Sequence, residues 1–226
     1  MAYRRLNHVL GELGDTFGSE SSEIKVGRDA YTSILLDAWT IVDTAWRLKR
    51  FLLDTRLPRP AGSTIANAHD QTPAPLRVDA FNVAITGLKK LRDGFQHLDN
   101  QVTETAAAHQ PIWGIVNWAT WYPETRTVHS CCLVQGVPGT GTASFNLINP
   151  VGKAFHSAVD HVTLTAFDVS ADLSEIYRTI CDLTCQLERA LRPHTEGLPH
   201  GGDSFIVGMV IQVPPDNATN TNRFRD

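Results

Sequence analysis

The spacing of the hydrophobic residues changes near Pro111, and this change constrains the fold more than any other feature of the chain. Before Pro111, apolar residues recur every three or four positions over 29–57 and 76–105, which is the period of an amphipathic helix. After Pro111, the segment 112–134 is rich in Trp, Ile, Val and Thr, as strands are. A chain in which helical segments are followed by strands is expected to fold as an α+β protein.

The other elements follow from local signals. Residues 11–23, with three glycines and a Ser/Glu run, predict a loop after a short first helix. The Pro-rich segment 58–75 predicts a flexible connection, Ser170 a helix cap and Pro193 a helix end. We predict helices at 3–12, 29–57, 76–105 and 171–191, and strands at 112–122, 126–134, 144–148, 159–167 and 205–213. The expected architecture is a set of antiparallel long helices packed with a small antiparallel sheet inserted before the last helix.

Length and charge limit the number of domains and the kind of partner. The chain has 226 residues, of which 42% are hydrophobic, enough for one sizeable core. We therefore predict a single domain over 1–213 and a disordered tail over 214–226. The formal net charge of -4 does not attract nucleic acid by bulk electrostatics. Any contact with RNA must come from a local basic patch.

The cysteines and the N-terminal segment indicate the compartment. Cys131 and Cys132 are adjacent, whereas Cys181 and Cys185 lie one helical turn apart. Neither spacing is typical of a disulfide framework. The first residues lack the apolar run of a signal peptide, and no segment reaches the length of a membrane-spanning helix. These features predict a cytoplasmic protein with reduced thiols and no membrane association.

The sequence predicts no metal and no cofactor. The candidate metal ligands are His129, Cys131, Cys132, His156 and His161. Their spacing matches no zinc motif, and adjacent strand residues point to opposite faces of a sheet. The Gly-rich run 136–141 lacks the Lys-Ser/Thr pair that completes a phosphate-binding loop. Trp113, Trp118 and Trp121 could form an exposed apolar strip, but large aromatics favour half-buried strands, so we expect them in the core.

One cluster in the helix at 76–105 combines residues that could act in catalysis. Arg92 interrupts the apolar stripe of that helix, and its guanidinium offers paired donors to phosphate oxygens and to charge that develops in a transition state. Asp93 and His97 are four residues apart and share a helix face, where the carboxylate could fix the imidazole tautomer. Gly94 would let another backbone or a ligand approach closely. Lys89 and Lys90 add the neighbouring positive charge.

The Arg92, Asp93 and His97 pattern resembles the signature of the HEPN superfamily, Arg-x4-6-His with a polar residue after the Arg. The resemblance covers 29–105 and 171–191, whereas the strand-rich part between them departs from a family that is mostly helical. The resemblance implies a function like that of many family members, which are metal-independent ribonucleases of toxin–antitoxin and phage-defence systems and act as dimers with two such motifs facing each other. It also implies an assisting acidic residue on the first long helix, either Asp37 or Asp43.

Three functions remain open at this stage. The first is a dimeric ribonuclease in which His97 acts as general acid or base, Arg92 stabilises the transition state and Asp93 orients His97. The second is a non-catalytic HEPN-like protein whose same residues hold a homodimer, a nucleotide or a partner such as an antitoxin. The third is a structural Arg–His pair without relation to the family. Its spacing does recur by chance at Arg189 and His194.

Overall fold

The computed structural model describes residues 1–20, 24–54, 78–99, 102, 111–135 and 147–195. Residues 1–190 form one compact unit, and 191–226 form a second unit of which only 191–195 are described. The predicted connection at 58–75, the strand at 205–213 and the tail at 214–226 lie outside the described residues. The predicted domain end at 213 therefore stays a prediction.

The described residues form five helices and a four-stranded antiparallel sheet, so the predicted α+β class is confirmed. The helices are α1 (Ala2–Glu20), α2 (Arg28–Asp54), α3 (Asp79–Ala84), α4 (Leu88–Gln96) and α5 (Leu173–Thr195). The strands are β1 (Ile115–Tyr122), β2 (Thr127–Leu133), β3 (Val159–Ala166) and β4 (Val169–Asp172), in the sheet order β2-β1-β3-β4. Leu147 and Ile148, from the strand predicted at 144–148, are not in a strand. No helix in the described ranges is long and apolar enough to cross a membrane.

Helix α1 continues through the glycines that were expected to end it. A Cβ atom on Gly14 would lie 2.6 Å from Oγ1 of Thr120 on β1, so only glycine allows the helix to come this close to the sheet. The predicted loop over 11–23 is therefore wrong over 11–20, which is helical. Gly11 and Gly14 are contact points for the sheet instead of breaks in the helix.

The single helix predicted over 76–105 is also wrong, because it is divided into α3 and α4. Gly87 lies at the break with a φ of +90°, a backbone conformation that glycine adopts at little cost. A Cβ atom at that position would come within 3.2 Å of the Val169 side chain on β4. The break thus redirects the chain so that α4 begins at the edge of the sheet.

Strand β1 lies in the centre of the sheet and is buried along Val116–Thr120. It forms a hairpin with β2 through the predicted turn at Pro123, which confirms the hairpin. Trp118 is buried and Trp121 is partly buried, as expected for core residues. Trp113 is 38% exposed, and its assignment to the core is wrong because it lies in a turn before the strand.

The short strand β4 was not predicted. It follows β3 through Phe167 and Asp168, which both have positive φ, 51° and 58°, as the two central residues of the tightest hairpin turns do. Helix α5 then starts two residues later than predicted. Its cap is Asp172, whose Oδ1 accepts a hydrogen bond from the Glu175 backbone N–H at 2.9 Å, whereas Ser170 is hydrogen-bonded to a β3 side chain instead. Pro193 does not end α5, which continues to Thr195.

The core lies between the helices and one face of the sheet. Leu6 and Leu10 of α1, together with Ile34 and Val42 of α2, are almost fully buried within it. It also contains Val116, Val162, Leu164, Leu173 and Ile176 from the strands and α5. Burial of each such side chain stabilises the fold by roughly 1.5–3 kcal/mol.

Candidate functional site

Helices α2 and α4 meet through two pairs of side chains. The ring of Trp39 stacks on that of Phe95, with 4.4 Å between centroids and 19° between planes. One turn further along α2, Asp43 Oδ1 accepts a hydrogen bond from Nε of Arg92 at 3.2 Å. The aromatic pair therefore fixes α4 against α2, and the polar pair orients the Arg92 guanidinium beside it.

Arg92 belongs to a chain of ion pairs that joins the two helices. Asp43 binds Arg47 at 2.7 Å and Arg92 at 3.2 Å. Asp93 lies 3.9 Å from Arg92 and 3.0 Å from Lys89. We call these five residues the charge network. It alternates three cations with two carboxylates, so it carries an excess positive charge on a chain whose formal net charge is -4.

Arg92 occupies the centre of the charge network and is its least exposed cation, with 26% of its side chain accessible. Its Nη2 atom has no hydrogen-bond partner among the described residues, although Nε and Nη1 face Asp43 and Asp93. A half-buried guanidinium is only partly screened by solvent, which strengthens its attraction for a bound anion. Arg92 is thus oriented by carboxylates and keeps donors for a ligand.

The acidic residue next to Arg92 is Asp43. The other candidate, Asp37, is buried and forms an ion pair with Arg5 of α1, whose Nε lies 2.7 Å from Asp37 Oδ2. Asp37 therefore fastens α1 to α2, and Asp43 alone of the two belongs to the site.

His97 lies just beyond the end of α4 and is exposed. Its backbone N–H donates to the carbonyl oxygen of Asp93 at 3.0 Å. The Asp93 carboxylate is bonded to Lys89, and no hydrogen bond joins it to the His97 imidazole in the part of the chain that is described. The expected orientation of His97 by Asp93 is absent from this arrangement, because the backbone at His97 has already left the helical conformation (φ −109°, ψ 33°).

Gly94 does permit a close approach, and the group that approaches is the ring of Phe167. A Cβ atom on Gly94 would lie 2.4 Å from Cδ2 of that ring. Phe167 in turn lies 6.2 Å from the ring of Trp39, and Phe95 lies 5.9 Å from that of Trp113. These four aromatic residues form a cluster that supports the segment of α4 carrying Arg92.

The sequence predicted the polar residues of the site, but it did not single out Arg47, Trp39 or Phe167, which hold them in place. Arg47 was one of several exposed cations on α2, and only its spacing of four residues from Asp43 hinted at an ion pair. Trp39 matched the apolar stripe of α2, and Phe167 matched a strand end, so nothing distinguished either from ordinary core residues. Among the described residues, no group of three or more His, Cys, Asp or Glu side chains is arranged to hold a metal ion.

The geometry combines an oriented guanidinium, a local excess of positive charge and an exposed imidazole five residues later in the chain. No protein-family model, curated protein or solved structure matches the chain. Chemically, such a site can bind a phosphate group and transfer a proton near it.

Proposed function

We propose that this protein is a HEPN-like, metal-independent ribonuclease whose site contains Arg92, Asp93 and His97. The observation that carries the proposal is the position of Arg92, centred in a positively charged network with one terminal nitrogen available, five residues before an exposed histidine. A phosphodiester is the ligand that uses both features, since its charge requires the guanidinium and its cleavage requires proton transfer.

The reaction consistent with these groups is attack by a ribose 2′-hydroxyl on the adjacent phosphorus. The bond between the 2′-oxygen and phosphorus forms, and the bond from phosphorus to the 5′-oxygen breaks. His97 takes the proton from the 2′-hydroxyl or delivers one to the departing 5′-oxygen. The products are a 2′,3′-cyclic phosphate and a free 5′-hydroxyl.

Arg92 stabilises the charge that accumulates on the phosphoryl oxygens in the transition state. Asp43 and Asp93 hold the guanidinium in place, and Asp43 takes the role of the assisting acidic residue. Asp93 therefore contributes by positioning Arg92 and Lys89. This role replaces the orientation of His97 that its spacing suggested.

Two further parts of the proposal concern partners. We expect two copies to bring their Arg92 and His97 residues to a shared cleft, with the helices arranged as a HEPN-like bundle. An antitoxin that covers this cleft would then control the activity in a toxin–antitoxin or phage-defence system. Light scattering of the purified protein measures the first expectation, because a homodimer has twice the mass of the chain.

The decisive experiment is cleavage of single-stranded RNA in the presence of EDTA. Wild-type protein should cut the RNA, because the proposed chemistry uses only side chains and no divalent ion. His97→Ala should lower the rate by about 10²- to 10⁴-fold, the usual cost of losing a positioned acid or base. Arg92→Lys should also fail to cut, since a point charge cannot reproduce the planar donors of a guanidinium.

A matched control is His8→Ala, which removes another exposed histidine from a helix surface. This variant should cut RNA at the wild-type rate. Equal rates for wild type and His97→Ala would exclude His97 as the acid or base. If no RNA is cut and expression is harmless to cells, the same residues serve the non-catalytic alternative, a dimerisation or partner-binding protein.

A further inference from the structure

Trp113 is a large aromatic side chain that stays exposed next to the site. The residue is 38% exposed, although its backbone is held at two points. The Trp113 carbonyl accepts a hydrogen bond from Nε1 of Trp39 at 3.1 Å, and the N–H of Gly114 donates to Pro111 at 3.0 Å. The ring is therefore presented to solvent by a fixed backbone.

Trp113 is joined to the charge network through Phe95. The centroids of the Trp113 and Phe95 rings are 5.9 Å apart, at an angle of 56°. Phe95 follows Arg92 by three residues on α4, so their side chains lie on neighbouring parts of the same helix face, separated by less than one turn of about 5.4 Å. Phe95 thus links the exposed Trp113 to the helix that carries Arg92.

We infer that Trp113 is a stacking platform for a nucleobase, which makes unpaired nucleotides the ligand class of this site. This inference rests on the proposed function, because the charge network must hold the phosphate of the same nucleotide. Aromatic side chains beside cations are the combination that binds single-stranded nucleic acids, where bases stack on rings while the backbone follows the positive charge. In a duplex the faces of the bases are already stacked on each other, so a duplex offers Trp113 no free face.

The test measures binding separately from cleavage, in the His97→Ala background so that the RNA stays intact. Fluorescence anisotropy gives the affinity for three ligands of equal length: a single-stranded oligouridine, an abasic ribose-phosphate oligomer and an RNA duplex. The single strand should bind about tenfold more tightly than either competitor. Trp113→Ala should bind the single strand about tenfold more weakly, and its affinity for the abasic oligomer should be unchanged.

Two further variants guard against a change in folding. Trp113→Phe keeps a ring on the same backbone and should retain most of the affinity. Trp121→Ala removes a tryptophan at the other end of β1, where it lies beside Phe155, and should leave the affinity unchanged. Arg92→Ala should lower the affinity for all three ligands, because each of them carries phosphates.

The outcomes separate this inference from the proposed catalysis. Unchanged affinity of Trp113→Ala for the single strand, or equal binding of the abasic oligomer, overturns the platform even if the RNA is cut. Preference for the duplex, or no binding by the parent protein, overturns it as well. Selective loss of single-strand binding in a protein that cuts no RNA supports the platform and rejects the catalysis.

Discussion

Among single residues, the four cysteines differ in how readily they can react. Burial raises the pKa of the Cys131 thiol to about 11, and burial together with the neighbouring Cys131 raises that of Cys132 to about 11. At pH 8 only about one part in a thousand of either thiol is then the thiolate, which is the reactive form. Cys185 on α5 is exposed. A modifying reagent therefore reaches the Cys185 thiol more easily than it reaches Cys131 or Cys132.

Brief treatment with iodoacetamide at pH 8 should alkylate Cys185 while Cys131 and Cys132 remain free. Peptide mass spectrometry measures the extent at each position. The control is the same reaction in concentrated urea, in which all four cysteines should be alkylated because burial no longer raises any thiol pKa. Alkylation of Cys131 as fast as Cys185 in the folded protein would contradict the burial of the β1–β2 hairpin.

At the level of elements, the packing of α1 on the sheet depends on one of its glycines. A Cβ atom on Gly14 would lie 2.6 Å from Oγ1 and 3.3 Å from Cβ of Thr120, which is itself buried. Gly11, one turn earlier, has its nearest such neighbour, Cγ2 of Val159, at an ordinary 3.4 Å. The same substitution at these two positions therefore separates helix propensity from contact with the sheet.

Gly14→Ala should lower the free energy of unfolding by about 1–3 kcal/mol, the cost of overpacking a filled site. Gly11→Ala should raise it by up to about 1 kcal/mol, because alanine favours the helix and meets no clash. Urea unfolding followed by circular dichroism measures both changes. If both substitutions changed the free energy of unfolding equally and in the same direction, α1 would not lie against β1 at Gly14.

These glycines also show how far the sequence could predict the elements. The long apolar stripe of α2 and the hairpin around Pro123 were predictable, because each depends on local spacing and turn residues. Gly14 and Gly87 were not distinguishable from the sequence: one allows close packing inside a helix, and the other ends a helix with a positive φ. The difference depends on Thr120 and Val169, which lie on strands far along the chain.

The residues of the site can also be divided into those that the sequence could predict and those that it could not. Arg92, Asp93 and His97 were identified by residue type and spacing, although the ion pair from Arg92 to Asp43 on α2 could not be predicted from that spacing. The choice of Asp43 over Asp37 required the orientation of α2, because both side chains are acidic and only Asp43 lies against α4. Trp113 was assigned to the core because its turn before β1 could not be separated from the strand by composition.

For the whole molecule, acid stability should depend on a buried ion pair between β3 and α5. Burial favours the neutral form of Asp160, but hydrogen bonds from the backbone N–H groups of His156 and His161 and from Arg178 hold its pKa below the usual 3.8. A lowered pKa in the folded state stabilises the protein above pH 3.8, and this contribution is lost as the pH falls through the folded value.

Arg178→Ala should lower the free energy of unfolding at pH 7 by about 3 kcal/mol, because it leaves the Asp160 carboxylate buried without its cation. Urea titrations at a series of pH values should show the difference from wild type narrowing below pH 4, as Asp160 takes up a proton. The control is Arg4→Ala, which removes an exposed hydrogen bond to Tyr177 and should leave the free energy of unfolding close to that of wild type. A difference that is independent of pH would mean that Asp160 is not the group involved.

The turn at Phe167 and Asp168 places two demands on one short segment. Positive φ is costly for residues that carry a Cβ atom, and Asn-Gly would suit such a hairpin better. Yet the Phe167 ring fills the space that Gly94 leaves open, and it therefore supports α4 under Arg92. Replacing the turn by Asn-Gly would therefore relieve the backbone strain but remove the ring that packs against α4, so a more favourable turn would leave the segment that carries Arg92 less well supported.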